Sequence, residues 1–306
     1  MKKTIALLLI VVTLLSLGAC KSSEFEVDGE FLAYEYGVHY NTPEVTWVTV
    51  TVEDGEIVAY NINARQGYSE DTTDPADSVA DVFGWNDLTK KELLEDYGMA
   101  AVAGGLEWYE QAAALEAYWL ANGVSIDDLD ENGNIDVVTG VSITVDAIYD
   151  LALEAIDNAK AGKFTALGFN ADDLYSVSMT VSKKGVVSDL LIDVLQGKPS
   201  AGVFAWNTST KQELGYEYKM FYSSYVASLT DSTSATIDGY KTWLTANSKL
   251  EWFEQVALIT DYVMANGYSS DLATSSADAL SGATITTTVY YSMLDDIFAY
   301  AGDSVK

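Results

Sequence analysis

Two short stretches carry residues in a chemically suggestive order. The first is Asp278-Ala279-Leu280-Ser281-Gly282-Ala283-Thr284-Ile285-Thr286, just before an apolar segment that reads as the last helix. Ser281, Thr284 and Thr286 offer hydroxyls where a helix takes its N-cap. Gly282 lets backbone and ligand approach closely. The first N–H groups of a helix lack intrahelical partners and favour an anion. A phosphate could sit there, or be carried covalently by a hydroxyl; the same residues would also serve as an ordinary Ser/Thr-rich cap. The second stretch, Asp128-Leu129-Asp130-Glu131-Asn132-Gly133-Asn134-Ile135-Asp136, has oxygen ligands at alternate positions and glycine at the sixth. Asp128, Asp130, Asn132, Asp136 and the backbone carbonyl of Asn134 suit Ca²⁺. Thr139 stands at position twelve instead of a bidentate Glu, which predicts weak affinity; the alternative is a plain acidic turn.

Other chemistries are restricted by composition. Cys20 is the only cysteine and His39 the only histidine, which leaves no disulfide, Cys-ligated cluster or bis-His haem. His39, in a strand-like run, reads as a surface or packing residue. Chemistry must therefore come from a bound cofactor or from carboxylates. Sixteen basic against 46 acidic residues give a formal net charge of −30, which excludes a nucleic-acid partner. The chain starts Met1-Lys2-Lys3, then runs apolar from Ile5 to Leu17 and reaches Leu17-Gly18-Ala19-Cys20. That reads as a signal peptide with a small-residue cleavage site; the alternative is a plain transmembrane anchor, for which the run is short. Its end resembles the lipobox of bacterial lipoproteins. Cys20 would then be the lipidated N-terminus of an extracellular, membrane-anchored protein.

The nonapeptide at 278–286 resembles the flavinylation motif of the FMN-binding domain family. That family includes the C subunit of sodium-pumping NADH:quinone oxidoreductase, the G subunit of Rnf and Gram-positive lipoproteins of extracellular electron transfer. The resemblance implies covalent FMN, joined by its phosphate to Thr284 by a flavin transferase, with Asp278, Ser281, Gly282 and Ala283 as the rest of the motif. It also implies a quinol-linked electron donor in the membrane and an extracellular acceptor such as ferric iron. Asp136-Val137-Val138-Thr139-Gly140-Val141-Ser142 reads as a second copy, with Asp136, Thr139 and Gly140 matching. Val141 replaces the alanine, and Ser142 stands where the flavin would be attached. On resemblance alone, Tyr97, Met99, Tyr218 and Met220 would line the flavin sites. One other reading is a non-redox, calcium-stabilised binding or adhesion lipoprotein with vestigial motifs; another is a redox protein with flavin only at Thr284, the first copy having lost its cofactor.

The positioning elements repeat. Phe83-Gly84-Trp85-Asn86 recurs as Phe204-Ala205-Trp206-Asn207, Thr89–Leu93 as Thr210–Leu214, and Leu106–Gln111 as Leu250–Gln255, in one order and with only small changes in spacing. This predicts tandem duplicated domains, residues 29–162 and 163–306 after a tether at 20–28. Each should be α+β, an antiparallel meander with helices on one face. Strands are expected over Phe31–Tyr40, Val45–Val52, Ile57–Ile62, Leu174–Val181 and Val186–Val194, with a polar loop over Ala64–Val79. Helices are expected over Thr89–Ala103, Leu106–Asn122, Val145–Lys160, Lys211–Ala227, Ile237–Asn247, Leu250–Asn266 and Thr287–Ala301. Trp85, Trp206, Trp108 and Trp252 read as core between helix and sheet, with a place beside the flavin ring as the alternative.

Overall fold

The computed structural model describes residues 24–72, 79–103, 105–269, 285 and 288–306. The architecture is α+β with two antiparallel sheets. The first sheet has the order β1 (Gly29–His39), β2 (Thr42–Glu53), β3 (Glu56–Glu70) and β4 (Val82–Trp85). The second has β5 (Lys163–Asn170), β6 (Asp173–Val181) and β7 (Val187–Leu195). Both are meanders. Asp54 and Gly55 turn β2 into β3 with φ of 52° and 74°, as a two-residue hairpin of the right twist needs.

Val48, Val50 and Val52 alternate along β2 and are buried. The helices cover this face. α3 (Trp108–Asn122) packs on β3, and α4 (Asp146–Ala161) on β1 and β2. In the second half α8 (Trp252–Asn266) packs on β7 and the last helix, α9 (Thr288–Ala301), on β5 and β6. One apolar core runs through both halves, and Phe31 meets Phe164 at 4.4 Å where β1 passes β5. A smaller cluster joins the opposite faces of the sheets: Val45 and Trp85 meet Leu174 and Leu195 there. Phe83 lies 5.5 Å from Phe204, and Trp85 6.0 Å from Trp206. The repeated Phe-x-Trp segments thus pack on each other across the halves, whereas Trp108 and Trp252, the first residues of α3 and α8, are buried in the main core.

Several expectations are corrected. β3 runs on through Glu70, because Ala64 and Gly67 stay buried and β4 pairs with its end. The expected helix over 89–103 breaks into α1 (Lys90–Leu93), a 3₁₀ turn and α2 (Met99–Ala103). Leu94 at φ 50° and Gly98 at φ 75° cannot continue an α-helix. The expected helix over 211–227 breaks likewise into α5 (Lys211–Leu214), a 3₁₀ turn and α6 (Tyr222–Ser228). β5 had been missed. The spacing between repeats is also less even than expected: residues 100–105 separate Met99 from Leu106, but residues 221–249 separate Met220 from Leu250. The longer segment forms α6 and α7 (Ile237–Ala246), with a small core of Tyr225, Tyr240 and Leu244. Among the described residues no helix is long and apolar enough to cross a membrane.

Candidate functional site

A cleft of about 580 Å³ opens where the ends of β1 and β2, the turn after α1, and the approach to α4 converge. Ser142, Tyr97 and Met99 line it together, as do Lys90, Glu44 and Trp108. Three devices hold these groups. Thr89 and Glu92 form a reciprocal capping box on α1, which fixes Lys90 at the first helical position. Glu107, the N-cap of α3, accepts hydrogen bonds from the N–H groups of Met99 (2.9 Å) and Ala100 (3.1 Å). Gln111, one turn into α3, is buried; its amide oxygen accepts from the N–H groups of Ser142 (2.7 Å) and Ile143 (3.0 Å). The Gln111 amide nitrogen donates to the Leu106 carbonyl at 2.9 Å and contacts Met99 Sδ. One side chain therefore ties the hydroxyl-bearing loop to the methionine. Ser142 itself is exposed, and its hydroxyl donates to Gln111 Oε1 at 3.4 Å. Val141 packs against the main core.

Lys90 is only 7% exposed. Its ammonium pairs with Glu44 at 2.9 Å and lies 5.4 Å above Tyr97 and 5.8 Å above Trp108. The second half builds the same box with Lys211, Asp173, Tyr218 and Trp252, at 3.9, 4.9 and 5.4 Å. Burial pulls the Lys211 ammonium below the ordinary lysine range, opposed by Asp173 and Asp193. Burial also pushes the Asp173 carboxyl up, opposed chiefly by Lys211. The rest of the frame repeats as well: Thr210 and Glu213 cap α5, Glu251 accepts from Met220 N–H, and Gln255 donates to Leu250 and Met220.

A second cleft, about 490 Å³, lies beside α9. Its described lining includes Arg65, Gly168, Phe169, Tyr175, Thr288 and Met293. Gly168 admits α9 closely: a Cβ there would stand 2.8 Å from Met293 Sδ. Tyr218 and Met220 are not in this described lining; they stay with the Lys211 box. Asp278, Ser281, Gly282, Ala283 and Thr284 lie outside the described residues, as does Cys20. In the first half Asp136, Thr139 and Gly140 occupy exposed turns before the cleft and do not line it.

The acidic run closes on itself. Asp130 Oδ1 accepts from the N–H groups of Asn132 (2.8 Å) and Asn134 (2.9 Å), which holds its carboxyl below the usual range. The Asn134 carbonyl, the expected backbone ligand, accepts from Asp130 N–H at 2.9 Å. Tyr118 donates to Asp128. Among the described residues no group of three or more His, Cys, Asp or Glu side chains has the geometry to hold a metal ion.

No protein-family model and no curated protein matches the chain. A solution NMR structure of a structural-genomics target from Clostridium thermocellum is 28% identical, covering 43% of this chain and 91% of its own. Its TM-score is 0.28.

The residues that sequence reasoning missed are Lys90, Glu44, Gln111 and Arg65. A signal for the first was present: both Lys90 and Lys211 follow the threonine of a T-x-x-E capping pattern inside a repeated block. Gln111 and Gln255 close the repeated L-E-W-x-E-Q block.

Proposed function

We propose that this chain is an electron-transfer flavoprotein of the FMN-binding domain family, a tandem duplication anchored through Cys20 outside the cell membrane. FMN is carried at Thr284 and at Ser142, attached by a flavin transferase. Electrons arrive from a quinol-linked donor and leave to an external oxidant such as ferric iron. The observation that carries this reading is the convergence of Ser142, Tyr97 and Met99 on one cleft, with Gln111 tying the serine loop to the methionine.

The cleft suits the group in size and lining. Both volumes fall in the usual range for small-molecule sites. In the first, Tyr97, Trp108 and Met99 offer an apolar wall, while Lys90 supplies a cation balanced by Glu44. Bound FMN would supply two-electron uptake and one-electron release, with position and electrostatics left to the protein. Gln111 holds the Ser142 loop, accepting from both its backbone N–H and, at 3.4 Å, its hydroxyl.

Intact mass of the full chain, made with a flavin transferase, tests the reading. Two FMN phosphoester increments are expected, with Ser142→Ala and Thr284→Ala each removing one. A colourless protein of unmodified mass overturns the reading. One increment insensitive to Ser142→Ala removes the first cleft from it.

A further inference from the structure

Lys90 is the one lysine or arginine in the described lining of the first cleft. It is only 7% exposed, and a buried ammonium needs acceptors for its three N–H donors. Its surroundings leave those donors short. Glu44 Oε2 lies 2.9 Å from the ammonium but is buried and takes no hydrogen bond, so the two charges attract without donor alignment. The ammonium also lies over two ring faces, Tyr97 at 5.4 Å and Trp108 at 5.8 Å. Ring faces attract a cation without replacing a hydrogen-bond acceptor. Among the described residues no other acceptor reaches Lys90 Nζ. A buried donor without an acceptor costs free energy unless a ligand supplies one. The capping box of Thr89 and Glu92 holds Lys90 at the start of α1.

The other charges of the lining are negative. Glu35, Glu44 and Asp146 bring carboxylates, and His39, Tyr40 and Tyr97 are the remaining titratable groups. Burial pushes the Glu35 carboxyl up, and Asp146, Glu44 and Asp150 push it further. An acceptor-rich or anionic edge is therefore opposed by the carboxylates and favoured at Lys90. Ser142 lines the same cleft.

We propose that Lys90 is the binding residue for the carbonyl-and-nitrogen edge of the flavin ring in the first cleft, and that its ammonium stabilises the negative charge gained there on reduction. This rests on the reading that Ser142 carries FMN. Two-electron reduction with uptake of one proton leaves one negative charge on the ring. A quinol-class donor supplies both electrons and releases two protons, one to the ring and one to solvent. The ammonium lowers the energy of that charge and so raises the potential. It also favours the charged over the protonated reduced ring, whose titration moves to lower pH.

The test uses the full chain made with a flavin transferase. Mass identifies the increment that Ser142→Ala removes, and spectroelectrochemical titration follows the couple lost with it. Lys90→Gln should lower this couple by about 30 mV or more, a tenfold change in the ratio of reduced to oxidised flavin for two electrons. The absorbance change that marks protonation of the reduced ring should move to higher pH in the same variant. Lys90→Arg keeps the charge and should restore both readings, whereas a merely structural lysine would move neither. If Lys90→Gln does not fold or takes no flavin, the double variant Lys90→Gln with Glu44→Gln is compared with Glu44→Gln alone. That comparison removes the ammonium without leaving a carboxylate at position 44, and the same fall is expected. Potential and titration that stay in place when the ammonium is removed overturn the inference and leave the flavoprotein reading standing. A chain with no increment at Ser142 sinks the reading beneath it.

Discussion

The two lysine boxes are built alike but braced differently. In the first half Met99 and Ala100 hang directly on Glu107, after a short connection. In the second half α6 and α7 intervene, and the cap glutamate Glu251 is wholly buried. It accepts from Met220 N–H and also from the Tyr240 hydroxyl at 2.5 Å. The same Tyr240 oxygen accepts from Phe221 N–H at 2.9 Å. A buried carboxylate needs extra donors, and the longer segment provides one. The local frame is therefore kept while its surroundings are rebuilt, and the parts that repeat are those fixing lysine, methionine and glutamine.

The sharpest way to break this comparison is to remove each lysine. Lys90→Ala and Lys211→Ala each remove the cation beside a carboxylate, Glu44 or Asp173, whose side chain is 19% or 14% exposed; Asp173 keeps hydrogen bonds from Gln196 and Gly197. Unfolding in urea should show a loss of about 3 kcal/mol for each, the low end for breaking a buried pair. If one box tolerates the change, the two are not equivalent frames. A smaller effect is expected from Tyr240→Phe, which removes the donor to Glu251 and the acceptor of Phe221 N–H. The cost should be about 1–3 kcal/mol, with the proposed flavin attachment at Ser142 unchanged. Loss of attachment at Ser142 in that variant would mean that the brace serves both halves. The smallest effect is a pH dependence. Burial, and then Asp296 and Glu30, push the Tyr300 hydroxyl up to about 12. The unfolded chain releases that proton near pH 10, so stability is intact below pH 10 and falls between pH 10 and 12. Thermal melts of Tyr300→Phe should be flatter across that window. An unchanged slope would place the alkaline loss on other tyrosines.

Legibility followed the range of each signal. The valines of β2 and the helix α3 were readable because burial on one face leaves a period in the sequence. Asp54-Gly55 was readable because few residues accept that backbone. β4 and β5 were not. β4 is four residues long, and in β5 Phe164, Thr165 and Ala166 are all buried, so it has no simple alternation. The break at Leu94 carried no glycine signal, although its counterpart Gly215, at φ 50°, did. For the first cleft, Ser142, Tyr97 and Met99 were found from resemblance and do meet. Arg65 could not be found that way, since its partner Phe169 is distant in sequence and in the other half. For Asp128, Asp130 and Asp136 the spacing alone suggested a ligand set; what it did not show is that the backbone N–H groups of Asn132 and Asn134 also engage Asp130.

The packing of Trp85 against Trp206 has an optical consequence. Two indoles 6.0 Å apart, with ring planes 31° from parallel, couple their electronic transitions. One indole comes from each half, held by Trp85 Nε1 donating to the Asp173 carbonyl and Trp206 Nε1 donating to the Gly37 carbonyl. The near-ultraviolet circular dichroism of the chain thus carries a built-in gauge of how the halves dock, readable without any label and separable from the far-ultraviolet signal of the helices.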